Sequence, residues 1–183
     1  MGSRYDDELW ELAPEDAGPP PPHLVAFVRS LGEIASALDL GCGDGCLTAE
    51  LDARELTAAD VSAVALERAR GRLPEARLVE LEPDAPLPLE DNSFDLVMSA
   101  ETIEHVRDVQ HFLSEARRVL RPGGELALTT PAARVLGAPE NPLSPHLHRF
   151  TRRTLARVLA ELGFDVVSLR RRSGTLLARA LRA

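Results

Sequence analysis

The sequence predicts an α/β fold of the doubly wound kind: a seven-stranded, mostly parallel sheet with helices on both faces and an antiparallel last strand. Three observations carry this. Short apolar runs alternate with segments of helical apolar spacing, the order that builds parallel strands through crossover helices. The first apolar run ends in Gly41-Cys42-Gly43-Asp44-Gly45, the composition of a sharp turn at a strand's carboxyl end. The last two apolar runs are separated only by Arg172-Ser173-Gly174, too short a connection for anything but an antiparallel pair.

The elements follow in order. Residues 1–22 read as a poorly structured, acidic lead-in closed by Pro19 to Pro22, since a proline run continues neither a helix nor a ladder. Residues 23–183 then form one domain. His23 to Ile34 carries Leu24, Phe27, Val28 and Leu31 at helical spacing. Ala35–Leu40 is a buried strand, Cys46–Ala53 a helix and Glu55–Asp60 a second strand. Ser62 suits the N-cap of a helix running through Arg72. Ala76–Leu81 and Phe94–Ser99 are the third and fourth strands, with a Pro-rich loop between them. Asp108–Leu120 is an amphipathic helix stopped by Arg121-Pro122-Gly123-Gly124, and Glu125–Thr130 a fifth strand. Pro131–Phe150 reads as a long loop, Thr151–Leu162 as a helix ended by Gly163, and Phe164–Arg170 and Thr175–Leu181 as the closing strands.

Composition bounds the function. At 183 residues with 44% hydrophobic and 27% charged side chains, the chain has the make-up of a soluble globular domain. No apolar run approaches the ~18 residues a membrane span needs, and the acidic N-terminus has no signal-peptide pattern. Cys42 and Cys46, the only two cysteines, form no disulfide framework, so a cytoplasmic setting is expected. The net charge of −8 argues against a general nucleic-acid binder. Charge is uneven, with six acids in residues 1–16 and nine arginines from Arg149 to Arg182, a pattern most simply read as solvated faces.

In doubly wound sheets ligands bind outside the strands' carboxyl ends, at the point where strand order reverses. Glycines suit Gly41–Gly45 because a Cβ would hold the backbone away from a ligand, and a following helix would offer free N–H groups. The spacing is G-x-G-x-G, not the G-x-G-x-x-G of a dinucleotide site; position 46 is Cys46. Asp60 closes the second strand about 20 residues on, where a carboxylate can accept the two hydroxyls of a ribose.

Five segments occur in order at typical distances: Leu38–Gly45, Ala59-Asp60-Val61-Ser62, Asn92-Ser93-Phe94-Asp95, Glu104-His105-Val106 and Arg118-Val119-Leu120-Arg121-Pro122-Gly123-Gly124. Together they resemble the class I S-adenosylmethionine-dependent methyltransferases of the small ubiquinone-methyltransferase-like type, across about residues 24–182. The resemblance implies a Rossmann-like methyltransferase fold with S-adenosylmethionine as cofactor. It places Asp39, Gly41, Cys42 and Gly43 along the cofactor's methionine part, Asp60 on the ribose and Val61 on the adenine face. It assigns the adenine amino group to an acid in the loop after the third strand, Asp84 in preference to Glu82, and sets Ser99 beside the reacting methyl.

The acceptor is expected to be a small molecule methylated on oxygen, nitrogen or carbon by in-line transfer. His105, just past the fourth strand, is the candidate catalytic base, and His146 and His148 are candidates for the acceptor pocket. No metal is assigned. The alternative is a metal-dependent RNA 2′-O-methyltransferase of the small-RNA type, which Glu101, Glu104, His105 and His148 resemble as a ligand set. On a helix Glu101 and Glu104 would share a face. The short insertions around the cleft suit either a large acceptor or completion by a second copy of the chain in a homodimer. Trp10 and Leu12 are candidates to close over the site.

Overall fold

The computed structural model describes residues 3–14, 18–133 and 146–183, with only the backbone for residues 3–5. Seven strands form one sheet in the order β3-β2-β1-β4-β5-β7-β6. They are β1 (Glu33–Leu40), β2 (Asp52–Asp60), β3 (Arg77–Glu80), β4 (Phe94–Ala100), β5 (Leu120–Pro131), β6 (Phe164–Arg172) and β7 (Thr175–Arg182). β1, β2, β3, β4 and β5 pair in parallel, whereas β7 runs antiparallel to both β5 and β6. The expected doubly wound sheet with its antiparallel last strand is thus formed. The order reverses between β1 and β4, which puts the switch point at the carboxyl ends of these two strands.

Among the described residues, five helices accompany the sheet: α1 (Ser3–Leu12), α2 (Pro22–Arg29), α3 (Ala63–Arg72), α4 (Val109–Val119) and α5 (Arg152–Glu161). Their starts are chemically specified. Pro22 sits in the first turn of α2, where its missing N–H costs nothing. Ser62 caps α3, Asp108 caps α4, and Thr151 with Thr154 forms a capping box on α5. The sheet buries its central strands on both faces. One large cluster contains Leu38, Leu40, Val97, Leu128, Leu155 and Phe164; a second gathers Leu24, Phe27, Ala37 and Leu96 under α2; a third sets Cys42 against α3.

Several local expectations are corrected. The lead-in is not without structure: α1 occupies its first half, and the prolines lead directly into α2. α2 stops at Arg29, and Gly32, at φ +76°, turns the chain into β1, so Ile34 is strand rather than helix. Cys46–Ala53 makes only a 3-10 turn, Thr48–Glu50, because β2 already pairs with Glu33 from Asp52 onward. α4 ends at Val119 and Leu120 is extended, so Arg121-Pro122-Gly123-Gly124 is an irregularity inside β5 and not a helix cap. The Pro131–Phe150 loop lies largely outside the described residues. No helix among the described residues is long and apolar enough to cross a membrane.

Candidate cofactor and acceptor site

The carboxyl ends of β1, β2 and β4 meet at the switch point, and their residues brace one another. Gly41 and Cys42 donate backbone N–H groups to the Ala59 carbonyl, at 2.8 and 3.0 Å. The Asp60 carboxylate, buried, accepts from Gly43 N at 2.8 Å and from Ser62 N at 2.9 Å. One side chain therefore fixes the glycine loop to the start of α3. From the other side, the Ser99 hydroxyl donates to the Leu40 carbonyl at 2.8 Å, and Thr102 Oγ1 donates to Gly41 O at 3.3 Å. Gly41 sits at φ +83°, and a Cβ there would stand 2.4 Å from Thr102 Cγ2. Glycine is required at that close approach.

Asp39 is buried at the end of β1. Its Oδ2 accepts the Thr48 hydroxyl at 2.5 Å, while Oδ1 has no hydrogen-bond partner. Burial, with a further push from the Asp60 charge, raises its pKa from 3.8 to about 7, against the Thr48 hydrogen bond that favours the anion. Asp60 is raised too, chiefly by burial, although backbone N–H donors hold it toward the anion. A sealed carboxylate with an open acceptor position fits a cationic ligand group. A ligand with an ammonium or sulfonium at the methionine end and a ribose at Asp60 has that chemistry.

The other predicted residues are placed as follows. The Cys42 side chain packs with Ala58, Leu66, Ala69 and Leu73, and its thiol donates to the Gly43 carbonyl at 3.5 Å; burial and the acids around it push the thiol up, leaving it unreactive. Val61 packs on the edge of the main core. Asp84, at φ +60°, is half exposed and pairs with Arg107 at 3.7 Å. Its loop is fastened by Arg118, which donates to the Leu87 and Leu89 carbonyls and to Asp91 and Glu115. The helix that was expected to aim its dipole at the loop is absent, because only the 3-10 turn follows it.

Past β4 the chain turns at Glu101, φ +55°, whose carboxylate accepts from Thr129 Oγ1 at 2.8 Å. Residues 101–106 form a turn, not a helix, so Glu101 and Glu104 do not share a helical face. Glu104 is 1% exposed. Its Oε2 accepts from Thr130 Oγ1 at 2.9 Å, whereas Oε1 has no hydrogen-bond partner and lies 3.9 Å from His105 Nε2. Burial first, then the Glu101 charge, lifts its pKa from 4.5 to about 7. The Glu104 carbonyl accepts from Leu147 N and His148 N, drawing the later loop onto this turn. His146 is thereby brought to His105, ring centroids 5.0 Å apart, while His148 Nε2 turns to the Arg107 carbonyl at 3.3 Å. Glu104, His105 and His146 each offer a ligand atom within 4.8 Å of the others. Of the two loop histidines expected at the acceptor pocket, these two backbone hydrogen bonds bring His146 to His105 and leave His148 on the Arg107 carbonyl.

A braced glycine-rich loop and a buried carboxylate at the switch point of a doubly wound sheet, with a histidine just past β4, are the arrangement expected of a class I methyltransferase. The chain is an S-adenosylmethionine-dependent methyltransferase domain: residues 38–128 match the family described as methyltransferase domain. It is 36% identical over 152 residues, 79% of this chain and 58% of the other, to a Mycolicibacterium smegmatis protein named "Probable S-adenosylmethionine-dependent methyltransferase". It is 42% identical over 103 residues, half of this chain and 36% of the other, to the 27-O-demethylrifamycin SV methyltransferase of Amycolatopsis mediterranei. The chain spans a little over half the length of the mycobacterial relatives it matches. In fold it superposes on a SAM-dependent methyltransferase from Aquifex aeolicus with a TM-score of 0.73, 20% identity and coverage of 96% and 97% of the two chains.

Proposed function

We propose that this protein methylates a small-molecule acceptor, on oxygen, nitrogen or carbon, by in-line transfer from S-adenosylmethionine. The observation that carries this reading is the adjacency of the braced Gly41–Gly45 loop and Asp60 to a turn presenting His105 in front of buried Glu104. Bound there, the cofactor supplies a methyl group on a sulfonium that leaves as a neutral thioether. The chain's own contribution is alignment. Asp39, Gly41, Cys42 and Gly43 line the methionine end, Asp60 takes the ribose hydroxyls, and Val61 and Asp84 serve the adenine. Ser99 and Thr102 hold the strand ends in register beside the reacting methyl. His105 helps withdraw the acceptor's proton, and Glu104 Oε1, 3.9 Å from Nε2, stabilises the imidazolium that results. The rifamycin-modifying relative, named for an oxygen acceptor, supports a hydroxyl as the group methylated. The two free cysteines fit a cytoplasmic setting.

A second reading is metal-assisted transfer to a hydroxyl, an RNA 2′-hydroxyl included. The Glu104, His105 and His146 cluster, with its unpartnered carboxylate oxygen, favours it. Thermal unfolding separates the readings. S-adenosylhomocysteine at about 100 times its dissociation constant should add ~2.7 kcal/mol of stability. No shift at millimolar ligand would sink the cofactor assignment. A further shift with Mn²⁺ or Mg²⁺ that His146→Ala removes would favour the metal reading.

His105→Gln should lower kcat about a hundredfold on hydroxylated acceptors, the scale of a lost acid–base group. Affinity for S-adenosylhomocysteine should stay within about twofold, because no cofactor contact is assigned to the imidazole. Product release in a coupled assay reads the first and calorimetry the second. An unchanged kcat would reduce His105 to a packing residue.

A further inference from the structure

We propose that α1 is the outer wall of the cofactor site, with Trp10 a cofactor-contacting residue and Asp7 the latch that docks the helix. This rests on the reading of Gly41–Gly45 and Asp60 as the S-adenosylmethionine site. The helix attaches at the residues that serve the ribose and the loop. The Asp7 carboxylate accepts the Ser62 hydroxyl at 2.7 Å and Val64 N at 3.3 Å. Ser62 is also the residue whose backbone N–H Asp60 accepts, so a single residue separates the latch from the ribose carboxylate. Trp10 lies directly on Gly43, where an added Cβ would stand 2.8 Å from Cζ2 and 3.0 Å from Cη2 of the indole. The glycine whose bare backbone a ligand needs is thus bare toward Trp10. Arg68 holds the arrangement from α3: its guanidinium is 5.7 Å from the indole centroid and donates to the Ala13 and Pro14 carbonyls at 3.2 and 3.4 Å. Leu12 is 72% exposed, so of the two apolar candidates only Trp10 faces the loop.

What holds α1 also lets it open. None of its described side chains, Asp6 to Leu12, belongs to any of the three apolar clusters. Their attachments are polar contacts and one ring, the character of an element that detaches locally without global unfolding. Asp6 and Asp7 bring negative charge up to Asp60, a repulsion that ribose hydroxyls donating to the Asp60 carboxylate would moderate. Docked α1 and bound cofactor therefore stabilise each other, and α1 swings away for exchange.

Trp10 is the only tryptophan in the chain, so its fluorescence reports this wall directly. The intact protein is titrated with S-adenosylhomocysteine, following Trp10 emission and heat in parallel, and the titration is repeated with Trp10→Ala, Trp10→Phe and Asp7→Asn. The emission of the unmodified protein should change saturably, with the calorimetric midpoint. Trp10→Ala should weaken binding about tenfold, mainly through faster dissociation, and Trp10→Phe should recover most of the loss. Asp7→Asn should fall between the unmodified protein and Trp10→Ala. Calorimetric binding with unchanged Trp10 emission would overturn the proposal, whatever the fate of the variants. So would a Trp10→Ala affinity within about twofold of the parent, or tighter. Absence of any binding to the unmodified protein would overturn the cofactor assignment beneath it instead.

Discussion

Asp60→Ala is expected to lower affinity for S-adenosylhomocysteine by at least about a hundredfold and to destabilise the ligand-free fold by ~2–4 kcal/mol. The two losses come from different hydrogen bonds on one carboxylate. In the protein alone, Oδ2 receives the Gly43 N–H and Oδ1 the Ser62 N–H, and Asp60 is only 8% exposed. Alanine leaves both donors without acceptors, at ~1–3 kcal/mol each, softened where water enters. The remaining lone pairs are those a ribose would use, and hydrogen bonds to a charged acceptor contribute ~1.5–3 kcal/mol apiece. Two such bonds account for the predicted loss of affinity. Asp60→Asn separates the roles: its one carbonyl oxygen satisfies one backbone donor, while the amide nitrogen faces the other. It should fold better than the alanine variant and bind nearly as poorly. Urea unfolding and calorimetric titration measure the two quantities. If Asp60→Ala loses stability but keeps affinity within about threefold of the parent, Asp60 is a brace for the loop and not a ribose ligand.

The same residue shows how far the sequence could be read. The placement of Asp60, Gly41 and Gly43 was legible because it is local: the end of a strand and a turn with positive φ. The mostly parallel sheet and its antiparallel last pair followed from alternation and from the tight Arg172-Ser173-Gly174 connection, where Ser173 and Gly174 have φ values of +49° and +89°. What could not be read was decided by tertiary contacts. Cys46–Ala53 has the composition of a helix, yet Thr48 is spent on Asp39, and β2 takes the segment from Asp52 to pair with β1. Four prolines suggested an unstructured boundary, but Pro22 is the first residue of α2, where proline is at home. The described side chains of α1, Asp6 to Leu12, join no apolar core cluster. The helix's reason to form lies in Ser62, Val64 and Gly43, far along the chain. The meeting of His105 with His146 depends on the Glu104 carbonyl accepting two backbone N–H groups, from Leu147 and His148, a pairing without a sequence pattern.

Asp39→Asn should change how the fold responds to pH. In the folded protein the Asp39 carboxyl binds its proton up to about pH 7, against 3.8 ordinarily, because it is buried and lies near Asp60. Between those two values the folded chain holds a proton that the unfolded chain has released, so stability falls as pH rises through the window. One pKa unit corresponds to ~1.4 kcal/mol, so the Asp39 contribution is on the order of a few kcal/mol, fully present below the window and lost above it. Glu104, also raised to about 7, adds a loss of the same sign. The informative quantity is therefore the difference between the variant and the parent. Asparagine is isosteric and neutral and can keep a hydrogen bond with Thr48. The ligand-free variant should match the parent near pH 4 and exceed it at pH 8, with a shallower decline between. S-adenosylhomocysteine should reverse the ranking at pH 8. Its ammonium, placed at the end of β1, would favour the Asp39 anion in the parent and restore stability, and the amide offers no such charge. Melting curves from pH 4 to pH 8, with and without ligand, give all four slopes. Parallel curves for the two proteins without ligand would show that Asp39 is ionised throughout.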